Sequence, residues 1–138
     1  MSQENKAVLR RFHEEILGKH NLSVVHELVA ANFVDHSAPP GAPMGPEGVK
    51  GGIQMFLGAF PDLHLTDMDI IAEGDKVAAR WIISGTHRGE FMGVAATGRK
   101  IAVNGMEIVR VEDGKFVERW EAMDTLGVMQ QLGAIPQM

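Results

Sequence analysis

The sequence predicts an α+β fold in which helices come first and a four-stranded antiparallel sheet follows. Two observations predict it. Apolar residues recur at helical spacing in residues 4–60, and the second half divides into strand-like segments joined by Gly-Asp and Asp-Gly turns. The 138 residues contain no linker or internal repeat, which predicts one domain over 1–138. We expect a strongly curved, mostly antiparallel sheet packed against three N-terminal helices, with a cavity between the layers.

The first three elements are predicted to be helices. Residues 4–17 form an amphipathic helix that stops near Gly18, because their apolar positions recur every three or four residues. A short second helix is expected up to about residues 28–31. The third begins at Pro46, which suits a first turn, and ends before Pro61.

A short extended segment and a loop separate the second helix from the third. Residues 32–36 are predicted as a short strand or extended turn. Residues 37–43 contain three prolines and must form a loop.

The second half is predicted to form two hairpins and a final helix. Gly74-Asp75 separates the first pair of strands, and Asp113-Gly114 separates the second with a sequence typical of a tight turn. The predicted strands cover 63–73, 76–87, 99–111 and 115–123, and the terminal helix covers 125–132.

The composition excludes several classes of function. The chain has no cysteine and no tyrosine, which excludes disulfides, thiolate nucleophiles, cysteine-bound metals and phenolic acids. Its formal charge of −5, without a basic cluster, argues against nucleic-acid binding. No apolar run is long enough to span a membrane and no secretory signal is visible, so we expect no membrane association and a cytoplasmic location.

The six histidines show no metal-binding spacing such as His-x-x-x-His. We expect His13, His20 and His26 to be solvated surface groups. His36 is different because, together with Asp35, it leads into the proline loop. There it could serve proton transfer or hydrogen bonding, or could merely hold the loop backbone.

The end of the last strand offers a candidate acid or base. Strand alternation puts Trp120, Ala122 and Asp124 on one face and Arg119, Glu121 and Met123 on the other. If the tryptophan faces an apolar cavity, Asp124 would lie at its mouth with a raised pKa, as proton-transfer chemistry requires. Asp124 also directly precedes a helix, so it could instead be only an N-cap.

Other residues could line the cavity. His87, Asn104 and Glu107 are polar candidates, although the solvent face of the sheet is the default expectation for each. The apolar candidates are equally suited to core packing. They are Phe12, Phe56, Phe60, Trp81, Met106 and Trp120.

Several short segments, taken together, are similar to a known family. They include Phe33-Val34-Asp35-His36, Gly85-Thr86-His87-Arg88-Gly89, Asp113-Gly114-Lys115 and Asp124-Thr125-Leu126-Gly127. In this order and spacing, from Glu4 to Gly133, the chain resembles the SnoaL-like polyketide cyclases, or ester cyclases, of the nuclear transport factor 2-like superfamily.

That resemblance implies an α+β cone that closes a deep pocket and pairs as a homodimer. It implies an intramolecular aldol condensation on a polyketide ester, with no metal or organic cofactor. The matching acid/base is Asp124, and His36 would orient the substrate. Phe12, Phe56, Phe60, Trp81, Asn104, Met106 and Trp120 would bind a bulky apolar carbonyl compound. Related sequences often carry histidine where Arg119 stands.

Two other functions remain open at this point. One is a non-catalytic protein that binds a small apolar ligand. The other is a hydratase or epoxide hydrolase, which needs a second carboxylate or histidine to position a water.

Overall fold

A computed structural model, described over residues 2–135, confirms the α+β class. The first helix, α1 (Ser2–Phe12), continues into a π-helical turn, His13–Gly18, and a 3₁₀ turn, Leu22–Val24, precedes the second helix, α2 (Val25–Leu28). The helices are α1 (Ser2–Phe12), α2 (Val25–Leu28), α3 (Gly45–Ala59) and α4 (Thr125–Gln131), and the strands are β1 (Val29–Asp35), β2 (His64–Glu73), β3 (Lys76–Thr86), β4 (Lys100–Glu112) and β5 (Lys115–Met123).

The sheet has five strands in the order β1-β5-β4-β3-β2. Strands β2 to β5 form the predicted antiparallel meander, and β1 adds a parallel strand at the free edge of β5. The predicted meander is confirmed, and the short strand or extended turn predicted over residues 32–36 is part of β1. The second helix ends at the start of its predicted limit of 28–31. Helix α2 ends at Leu28, and the backbone from Val29 onward hydrogen-bonds to β5, which offers an open edge.

The turn between β4 and β5 has the predicted chemistry. Asp113 and Gly114 both have positive φ angles, 51° and 75°. Two consecutive left-handed residues are what a tight two-residue hairpin turn requires, so the Asp-Gly pair fixes this turn.

A β-bulge in β5 decides which of its side chains face the helices. Val111 lies opposite Phe116, but Arg110 lies opposite Glu118, so Val117 is an extra residue in β5. Phe116 and Val117 are both buried. Beyond the bulge the facing side chains are the odd-numbered ones, and Trp120 points to the outer face of the sheet.

The core lies between the inner face of the sheet and the helices. Phe12 of α1 packs on Phe116 with ring centroids 4.9 Å apart. The Trp81 indole covers Gly105, where an added Cβ would come within 2.2 Å of the ring. Within residues 2–135, no helix is long and apolar enough to cross a membrane.

Candidate active site

A cavity of about 440 Å³ opens between the end of α1, helix α3 and the inner face of the sheet. Its upper part is apolar, with side chains such as Met44, Ile53 and Phe56 from the proline loop and α3. Its floor is formed by the sheet and carries most of the polar groups, which are Asp35, Trp81, Glu107, Arg119 and Glu121. Ser37 of the proline loop and Glu47 of α3 add two more.

Two carboxylates stand side by side on this floor. Glu107 of β4 and Glu121 of β5 are directly opposite in the antiparallel register, and both line the cavity. Side chains at such positions are near neighbours, and like charges there repel. The repulsion is reduced if the surrounding groups shift the pKa values of the two carboxyl groups in opposite directions.

Glu107 is the carboxyl group of the pair whose pKa is lowered. Its Oε1 accepts hydrogen bonds from the His13 ring, at 2.6 Å, and from Trp81 Nε1, at 3.1 Å. Burial by itself raises the pKa of Glu107, but the His13 hydrogen bond and charge, with Arg119 and Trp81, lower it below its ordinary value.

Arg119 balances the acidic groups on the other side. It forms a 2.7 Å ion pair with Asp35 of the neighbouring strand and lies 3.9 Å from Glu121. Burial tends to lower the pKa of Arg119, but Glu121, Glu107 and Asp35 outweigh it and raise that pKa. For Asp35, burial acts to raise the pKa, while the charge of Arg119 and the hydrogen bonds from Ser37 bring it below its ordinary value.

Glu121 is the carboxyl group of the pair whose pKa is raised. Burial raises its pKa, Arg119 lowers it, and the negative charges of Glu107 and Asp35 raise it again, so the net shift is upward. Two neighbouring carboxyl groups whose pKa values are pushed apart are an arrangement suited to acid and base catalysis.

His13 lies between Glu107 on the cavity floor and Asp67 of β2. Its Nδ1 lies 2.8 Å from Asp67 Oδ2, and its Nε2 faces Glu107. Burial would lower the pKa of His13, but the hydrogen bonds to Asp67 and Glu107 raise it to about 9. Across residues 2–135, no three histidine, aspartate or glutamate side chains are grouped to hold a metal ion.

A sequence profile of the SnoaL-like polyketide cyclases matches residues 7–132. The chain belongs to this family. The resemblance read from the sequence is therefore confirmed, and so is the expected cone of curved sheet and helices.

Individual proteins that are similar to this chain support the assignment. DauD, the aklanonic acid methyl ester cyclase of Streptomyces sp. (strain C5), is 28% identical over 111 residues, covering 80% of this chain and 67% of DauD. The structure of TsrD from Streptomyces laurentii matches with a TM-score of 0.88 at 29% identity, over 96% of this chain and 97% of TsrD. IdmH from Streptomyces antibioticus matches with a TM-score of 0.82 at 35% identity, over 94% and 98% of the two chains.

Three of the residues predicted to bind substrate line the cavity of this SnoaL-like domain. They are Phe12, Phe56 and Trp81. Phe60 is fully buried beside His87 and Phe91. Its ring therefore packs inside the core.

The other predicted site residues lie elsewhere. Asn104 and Met106 alternate with the buried residues of β4 and face solvent. Trp120 is 37% exposed on the outer face, where it stacks on His36 at a centroid distance of 4.8 Å. The His36 ring also lies 2.8 Å from Glu118. The expectation that Asn104, Met106, Trp120 and His36 face the cavity is therefore corrected. Asn104 and Met106 lie on the solvent-facing side of β4, and the bulge in β5 turns Trp120 outward, where His36 stacks on it.

Asp124 is the N-cap of α4, the alternative role predicted for it from the sequence. Its Oδ1 accepts a 2.8 Å hydrogen bond from the backbone N–H of Gly127, in the first turn of α4. The residue is exposed, and it does not appear among the described residues that line the cavity. Its role as acid or base stays a prediction.

The sequence did not predict His13 as part of the site, and it offered Glu107 only as one of several polar candidates. His13 was expected in solvent, but it is 2% exposed because the π-helical turn at the end of α1 brings it against the sheet. Glu107 is 4% exposed, against the default expectation of a solvent position. The sequence did show that Arg119 and Glu121 share one face of β5 and Trp120 lies on the other. It did not show which of these two faces lines the cavity.

Proposed function

We propose that this chain is a cofactor-independent cyclase that closes a ring of a polyketide-like ester by intramolecular aldol condensation, with Glu121 as the acid/base. The carboxyl pair on the cavity floor carries the proposal. The pKa of Glu107 is lowered and that of Glu121 is raised. The apolar upper cavity suits a bulky carbonyl compound, and DauD is named for such an ester.

The reaction needs one group that takes a proton and returns it. The Glu121 carboxylate would remove a proton from a carbon flanked by carbonyls, which leaves an enolate. The enolate carbon then attacks a second carbonyl carbon of the same molecule, and the new C–C bond leaves an alkoxide that takes the proton back from Glu121. A base with a raised pKa suits both transfers, because neither is then strongly uphill.

Arg119 has a supporting role in this scheme. Its guanidinium lies 3.9 Å from Glu121 and lines the same cavity. It would stabilise the negative charge that develops on the substrate oxygen, while the Asp35 ion pair keeps it in place. Trp81 and Glu107 would fix the shape of the floor beneath the reacting atoms.

The decisive experiment compares two isosteric variants, with aklanonic acid methyl ester as the trial substrate. Glu121→Gln should fold normally and lose kcat by about 10²- to 10⁴-fold, the usual contribution of a positioned acid/base. Asp124→Asn should keep its activity, because asparagine caps a helix about as well as aspartate. The opposite pattern would restore Asp124 as the base and refute the role of Glu121.

A third variant tests the pairing of the carboxyl groups. Glu107→Gln removes the negative charge opposite Glu121, so the pKa of Glu121 should fall and the acidic limb of the kcat profile should move to lower pH. An unmoved limb would mean that Glu107 does not tune the catalytic acid. If wild-type protein binds the ester without converting it, the chain is a ligand-binding member of the fold.

We also propose that the chain pairs with a second copy of itself, as the resemblance implied. Large apolar side chains are exposed on the outer sheet face at Met106 (60%), Ile108 (43%) and Trp120 (37%). A shared patch of this kind suits a twofold contact. Light scattering should give twice the chain mass for wild-type protein and a monomer for Ile108→Glu. A monomeric wild type would refute the pairing.

A further inference from the structure

A continuous line of ionisable side chains crosses the wall of the cavity. It runs from Glu107 on the cavity floor, through His13, to Asp67 on β2. The two links measure 2.6 Å and 2.8 Å, and each nitrogen of the imidazole serves a different carboxylate. The middle of the line is 2% exposed, while Asp67 is 21% exposed.

The outer end of this line opens into a second, shallow groove. Both His13 and Asp67 line that groove, together with residues of α1, of the π-helical turn and of β2. Several charged or titratable side chains surround the line, and their fields act on it. They are Arg10, Glu14, Lys19 and His64 at the outer groove, and Arg119 and Glu121 at the inner cavity.

We propose that Asp67–His13–Glu107 is a proton path between the outer groove and the cavity floor. In an outward transfer, a proton that Glu107 has taken up from the cavity passes to Nε2 of the neutral imidazole, which forms the imidazolium, and Nδ1 then gives its proton to Asp67. Glu107 is then ionised, Asp67 is protonated and releases the proton to water, and the imidazole ends as its other neutral tautomer. The reverse transfer restores the starting tautomer, so alternating steps reset the path.

The geometry fits the midpoint of this transfer. An imidazolium held between two carboxylates is the state in which the proton has left one partner and not yet reached the other. The raised pKa of His13, about 9, makes this charged state the resting one near neutrality. Both proton exchanges therefore begin from hydrogen bonds that are already formed.

The use of such a path rests on the proposed function. A bulky apolar substrate would fill the cavity and separate Glu107 and Glu121 from the solvent at its mouth. The charge state of the carboxyl pair could then adjust only through the wall. The path gives that adjustment a route that bypasses the substrate, and His13 and Asp67 are positioning residues in this scheme.

The experiment uses Trp81 as a reporter and needs no substrate. Trp81 donates to the same Glu107 oxygen that His13 contacts, so its fluorescence should change when His13 titrates. The chain has two tryptophans, so Trp120→Phe leaves Trp81 as the sole emitter. Temperature-jump relaxation across pH 7–10 then gives the protonation rate of His13.

Asp67→Asn in that background should slow the protonation rate at least tenfold, because an amide cannot carry the proton inward. Asp67→Glu should restore it, and Asp69→Asn, on the same strand and paired with Arg80, should leave it unchanged. Equal rates in Asp67→Asn and the parent would overturn the path, and so would a failure of the glutamate to restore the rate. Neither result bears on the Glu121→Gln experiment, so the two proposals fail separately.

Discussion

The stability of this protein should depend on pH through His13, and replacing it with glutamine isolates the effect. The imidazole is buried between Asp67 and Glu107, and its pKa rises from 6.5 to about 9 on folding. As the pH rises, the unfolded chain therefore loses the His13 proton at a lower pH than the folded protein does. Glutamine can still donate to one carboxylate but never carries a charge.

The magnitude follows from the two pKa values. A rise from 6.5 to about 9 corresponds to about 3 kcal/mol, at about 1.4 kcal/mol per pH unit. Because the pKa is raised in the folded state, this stabilisation is fully present below pH 6.5. It is lost as the pH rises toward about 9.

Urea unfolding at pH 6, 7.5, 9 and 10 provides the assay. The difference in unfolding free energy between wild type and His13→Gln should shrink by about 3 kcal/mol from pH 6 to pH 10. His26→Gln is the control, because His26 pairs with Glu47 at an exposed site, where such pairs contribute little. A difference that stays constant with pH would refute the assignment of a charged, buried His13.

Three further substitutions test local packing. Gly105→Ala should destabilise the fold by about 1–3 kcal/mol or more in thermal unfolding, because its methyl group would meet the Trp81 ring at 2.2 Å. Gly51→Ala should raise stability by about 0.5–1 kcal/mol, since nothing lies within 4 Å of the added atom on α3. Asp124→Ala should cost about 1 kcal/mol through loss of the cap to Gly127, with Asp124→Asn nearly neutral as its comparison. An unchanged Tm in Gly105→Ala, a lower one in Gly51→Ala, or equal losses in the two Asp124 variants would contradict these interpretations.

Much of the fold was predictable because its signals are local. Helical spacing over residues 4–17 and the Asp-Gly turn at 113–114 depend on neighbouring residues only, and the structure confirms both elements. Strand β1 was predicted only in part, as the short strand or extended turn over residues 32–36. Its pairing with β5 joins segments about 85 residues apart, and residues 29–31 carry no local sequence signal for a strand.

The site was less predictable because one inserted residue changes a whole strand. Period-two alternation from Phe116 would put Trp120 inside, and the sequence offers no local mark of the bulge at Val117. The same holds for His13, which lies among charged residues in the sequence. Only the packing of the π-helical turn against β2 and β4 makes it a buried partner of Asp67 and Glu107.

Patterns within the sequence are enough to establish the α+β class, the family and the kinds of group available for chemistry. Without cysteine or tyrosine, proton transfer in a mostly apolar cavity is left to carboxylates and histidines. Which of these groups share the cavity depends on how the strands pair in the folded chain. The pKa of a side chain depends on burial and on neighbours that are distant in the chain, so Glu107 and Glu121 acquire opposite shifts only when β4 and β5 lie side by side.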